Sequence, residues 1–195
     1  GGGRGVAFVP RRGALGHPGG MRQLVDVGVV CWVVARVPPH DWLLFLHVLS
    51  AFILVAAEVL FTFLIAWLWK RDVPSDIARV SGISRFGSIL VGVGSVGVLI
   101  LGIALAFEAD GYAIWDPWIV AAIVLWLAFA ELGRRTGKAY DAVGARARTL
   151  VNEGRDEPNP EVGAMFRSRA ALGFHLASVA ALVLLLLDMF FKPGA

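Results

Sequence analysis

Hydrophobic positions along the chain gather into four long runs with almost no charge, and the stretches between them hold most of the ionisable residues. A bilayer core about 30 Å thick needs about 20 apolar residues in a helix rising about 1.5 Å per residue. The pattern therefore predicts spans at about 42–69, 86–107, 117–133 and 170–191. Only His47 and Glu58 interrupt the first, with Trp42 at one end and Trp67, Trp69 and Lys70 at the other as interface anchors. The third is the shortest: Asp116 and Pro117 read as an N-cap and first helical residue, and Glu131 closes the apolar stretch about 21 Å later. The expected fold is all-α, an antiparallel four-helix transmembrane bundle.

Composition agrees. With 195 residues, 57% of them hydrophobic, and a mean hydropathy of +0.71, the chain is too apolar for an ordinary soluble domain. A single cysteine, Cys31, excludes an intramolecular disulfide and any multi-cysteine metal or iron–sulfur site within one chain.

Lysine and arginine set the direction of the spans. The connections at about 70–85 and 134–169 are basic, whereas the loop between spans two and three holds Glu108, Asp110 and Asp116 and no cation. The positive-inside bias places the two basic connections in the cytoplasm and both ends of the four-span body outside. Residues 1–37 are Gly- and Arg-rich before Met21, and their apolar run from Val27 to Ala35 is too short to span. They read as a non-native or disordered N-terminal extension of a membrane domain covering 38–195. In the second basic connection, Tyr140, Val143, Ala147, Leu150 and Val151 recur at helical spacing and predict an extension of span three. Residues 152–160 break it, and Asn159, Pro160 and Glu161 start a short helix.

Ionisable groups inside a bilayer are costly and usually turn into the bundle. The candidates are His47, Glu58, His175 and Asp188. His47 and Glu58 lie eleven residues apart on one helical face, with Ser50, Ala51 and Thr62 on or beside the same stripe. Counted along antiparallel helices, Glu58 matches the depth of His175, and His47 that of Asp188. His175 and Asp188, thirteen residues apart, point to opposite sides of their helix, which favours Glu58 with His175 as the buried pair. The same counting sets His47 and His175 near opposite membrane faces, against a shared haem. Met165 and Met189 form no cluster with histidine or Cys31, against copper. No metal and no cofactor are expected. Span two carries Gly87, Gly92, Gly94, Gly97 and Gly102, with Ser88, Gly92 and Ser95 along one small-residue face, and reads as a tightly packed central helix.

The stretch "DWLLFLHVLSAFILVAAEVLF", the glycine-rich second span, "GYAIWDPWIVAAIVLW" and the closing "LDMFFKPGA" together resemble a bacterial family of integral membrane proteins, domain of unknown function 2269, over Asp41 to Ala195. The resemblance implies four spans in a bacterial plasma membrane and assigns no activity. "LHVLSAF" is also similar to the first helix of copper-resistance D-type membrane proteins and of the membrane-bound oxidases of haem synthesis, where an early histidine serves a metal or haem; His47 is the position this implicates.

Three functions follow as expectations: non-enzymatic movement of a proton or small solute around Glu58, or help to a protein that does this; haem- or metal-associated redox work through His47; or a structural, partner-binding subunit. The expected partners are the lipid bilayer and either a second copy or another membrane protein, not nucleic acid.

Overall fold

The computed structural model describes residues 38–108 and 113–193. The extension expected over 1–37, with Cys31, lies outside the described residues. The four-span body is all helical among the described residues: α1 Pro39–Leu68, α2 Pro74–Glu108, α3 Pro117–Asn152, α4 Pro160–Phe166 and α5 Arg169–Phe191. Four stretches, α1, α2, α3 and α4–α5 together, are long and apolar enough to cross a membrane. They form an antiparallel bundle in which α1 packs on α2, α2 on α3, and α3 on α5.

The surface explains why this fold needs lipid. Phe52 is 68% exposed and Phe86 62%, and large apolar side chains stand outward on all four long helices. In water such a surface would aggregate; in hydrocarbon it costs nothing, and packing then depends on close contact and polar pairing. Close contact is what α1 and α2 achieve. A Cβ on Gly94 would lie 3.0 Å from the Leu54 nitrogen and the Ser50 oxygen, and one on Gly97 would collide with the Ser50 hydroxyl. Gly87 meets Phe61 and Gly102 meets His47 in the same seam.

Helix α2 begins at Pro74, so residues 74–85, read from sequence as a connection, are helical. Asp76, Arg79 and Arg85 end the apolar run, yet Ile77, Val80 and Ser81 between them are buried at helical spacing. Together with Leu68, Val143, Ala147, Leu150, Val162 and others, Ile77 and Val80 form a core at the basic end of the bundle. The connection after α3 is fastened onto the α1–α2 turn. Arg167 donates to Asp72 Oδ1 at 2.6 Å and to the Trp69 carbonyl at 3.2 Å. Asn159 N–H donates to the Asp72 carbonyl at 2.8 Å, and Asp156 accepts from the Ser75 N–H at 2.8 Å, satisfying a free donor at the start of α2. Asn159 caps α4 by accepting from the N–H groups of Glu161 and Val162.

Candidate functional site

Helices α1 and α5 meet through polar side chains. Ser178 Oγ lies 2.8 Å from Glu58 Oε1 and His175 Nδ1 lies 3.6 Å from the same oxygen, with side chains only 3% exposed for His175 and 10% for Glu58. Thr62, one turn beyond Glu58, sits 3.0 Å from His175 Nε2. The structure thus brings Glu58 and His175 together, through a hydroxyl on each helix.

Thr62 Oγ1 lies 2.9 Å from the Glu58 carbonyl, to which it can donate; in the tautomer with the proton on His175 Nε2 the same oxygen accepts from that N–H, and Nδ1 faces the carboxylate. Ser178 Oγ is 2.8 Å from both Glu58 Oε1 and the His175 carbonyl. With Glu58 ionised, Ser178 donates to it. With Glu58 protonated, the carboxyl donates to Ser178, which turns its own proton to the His175 carbonyl. Glu58 therefore keeps Ser178 as a partner in either protonation state, while the His175 carbonyl receives the serine proton only when Glu58 is protonated.

A cleft of about 500 Å³ reaches this cluster from the basic end. It runs between α2 and α3 from Glu58, His175 and Ser178 down to Ser81 and Gly144. One wall carries Ser81, Ser84, Ser88 and Gly92 of α2, and the other Gly133, Thr136 and Gly137 of α3. At its foot Arg148 donates to Ser81 Oγ at 2.6 Å. Tyr140 also lines the cleft, and its hydroxyl is buried without a hydrogen-bond partner.

This corrects one expectation. The Ser88–Gly92–Ser95 face lines the open cleft, and the seam that packs closely on α1 is the Gly87–Gly94–Gly97–Gly102 face.

Beyond the cluster, Leu54, Val98, Phe129, Ala181 and Leu182 pack into an apolar layer. On its far side lies a second cavity of about 840 Å³, almost wholly apolar, which shares no lining residue with the cleft. His47 lines that cavity; its ring rests against Gly102, and Nδ1 is buried without a partner. Asp188 is buried, with Oδ2 unbonded. Among the described residues no hydrogen bond or ion pair joins His47 to Asp188. His47 and His175 stand on opposite sides of the apolar layer, so they cannot be the two axial ligands of one haem. Among the described residues no three His, Cys, Asp or Glu side chains gather closely enough to hold a metal.

No protein-family profile, curated protein or solved structure matches the chain.

Sequence reasoning reached Glu58, Thr62 and His175 but not Ser178, one turn from His175, nor the cleft. The signal for the cleft was present in the spacing of Ser81, Ser84, Ser88 and Ser95, which share one helical face.

Proposed function

We propose that this multi-pass protein moves protons or a small solute across a bacterial plasma membrane, or serves a protein that does, and that Glu58 is the group that takes and releases the cargo. One observation carries the reading: a buried carboxylate stands at the deep end of a cleft that carries a line of serines on one wall, hydrogen-bonded to Ser178 and with His175 Nδ1 3.6 Å away. A carboxylate inside a bilayer is expensive, about 2.5–3.5 kcal/mol on insertion scales, and such groups mark ion and proton pathways. The apolar layer above Glu58 separates it from the second cavity, so passage requires that layer to part. The basic connections on the cleft side support a cytoplasmic opening. The residues that resemble the domain of unknown function 2269 family, Asp41 to Ala195, support the bacterial setting.

The test is proton flux in proteoliposomes loaded with a pH-sensitive dye. Wild-type protein should dissipate an imposed pH gradient at least tenfold faster than Glu58→Gln, with Ser178→Ala between them. Equal rates for wild type and Glu58→Gln would remove Glu58 from the function.

A further inference from the structure

The cleft's hydrogen-bonding character identifies its ligand. A hydroxyl has one proton to give and two lone pairs to receive, and three of the cleft's hydroxyls have already given theirs to their own helix. Ser84 donates to the Ser81 carbonyl at 3.0 Å, Ser88 to the Ser84 carbonyl at 3.0 Å and Thr136 to the Leu132 carbonyl at 2.9 Å. What they offer the cleft is acceptors. At the deep end Ser178 and His175 approach Oε1 of Glu58, and its second oxygen makes no hydrogen bond among the described residues. Toward the other end Tyr140 adds a buried hydroxyl without a partner, which can accept as well as donate. The cations on the rim do not reverse this balance. Arg134 is held by two hydrogen bonds of 2.7 Å to Glu131, and Asp141 lines the same rim as Lys138. The α1 side is apolar, with Phe61, Leu64 and Ile65.

We propose that the cleft binds a small alkylammonium-type cation, its N–H donors on Glu58 and the serine oxygens and its carbon chain against Phe61, Leu64 and Ile65. At about 500 Å³ the cleft has room for such a cation and lies within the ~300–1,000 Å³ of small-molecule sites. This rests on the reading of the cleft as the route to Glu58, and it names the cargo class that the route would accept.

The test is isothermal titration of the purified full chain in detergent with butylammonium chloride, sodium butyrate and 1-butanol, which share a four-carbon frame and differ in charge. Butylammonium should bind saturably and at least tenfold more tightly than the other two. Glu58→Gln should weaken it at least tenfold, and Gly137→Leu, which narrows the cleft from the α3 wall, should do the same while the protein stays monodisperse. Equal binding of butyrate or butanol, undiminished binding by both variants, or no saturable binding of butylammonium would overturn the assignment. Titration does not depend on transport. Glu58-dependent proton flux without butylammonium binding would overturn the ligand class and leave the carrier reading standing; binding without flux would do the reverse.

Discussion

Gly133 and Gly137 lie one turn apart in the interior of α3, where glycine is a poor helix former, and a Cβ built on either meets no atom within 4 Å. Each Gly→Ala exchange therefore adds helix propensity and removes backbone freedom from the unfolded chain without a steric penalty, a gain of about 1 kcal/mol per site. For a chain of this size the pair should raise the melting temperature in detergent by roughly 4–8 °C. Leucine at the same positions sends four carbons each into the cleft. If each carbon takes about the volume share of a water, ~30 Å³, two leucines occupy about 240 Å³, nearly half of the cleft's roughly 500 Å³. The double leucine variant should keep at least wild-type melting behaviour and lose most of its Glu58-dependent flux in proteoliposomes. A residue pair that served packing would behave in the opposite way, with stability falling and flux falling only as folded protein is lost. Unchanged flux in a well-folded double leucine variant would refute the idea that cargo travels between α2 and α3.

On the other face of α2 the outcome reverses: Gly94→Ala pushes a methyl to 3.0 Å from the α1 backbone and should cost about 1–3 kcal/mol by overpacking, while Gly92→Ala, which meets nothing within 4 Å, should cost nothing; thermal melts of the two separate them. Leu54→Ala and Phe129→Ala open cavities in the apolar layer, where both residues are 1% exposed. Each should cost about 2–5 kcal/mol and raise a proton leak that persists in a Glu58→Gln background, read with the same dye assay. Arg167→Ala removes the tie between the connection after α3 and the α1–α2 turn; because both Arg167 and Asp72 side chains are about one third exposed, the loss should be only about 1 kcal/mol, visible as faster proteolysis within residues 153–168.

Span positions were legible because an uncharged run of bilayer length suits little besides a membrane crossing. The extension of α3 beyond its apolar stretch was legible as well: Tyr140, Val143, Ala147 and Leu150 keep the helical period, and the last three are buried. Val151, counted on the same face, is exposed, because it falls one position past the buried stripe. The first two turns of α2 were missed because their charges broke the apolar run, although Ile77, Val80 and Ser81 kept helical spacing inward. Glu58 and His175 could be matched by depth from antiparallel counting alone. Depth carries no azimuth, which is why the same counting set His47 level with Asp188 while the structure shows no bond between them. The cleft was hidden for a related reason. Small residues line both the closed seam on α1 and the open face toward α3, and composition cannot distinguish a face that is packed from one that is left empty.

Everything proposed for Glu58 depends on water reaching it through the cleft from the basic end and stopping at the apolar layer. In a Cys31→Ser background, single cysteines at Ser88, Gly133 and Val98 can be challenged with a membrane-impermeant maleimide added to one side of sealed, oriented vesicles. Ser88→Cys and Gly133→Cys should label from the side carrying the basic connections, and Val98→Cys should resist reagent from that side. Protection of both cleft positions, or labelling of Val98→Cys as fast as theirs, would contradict a water-filled route that ends at Glu58.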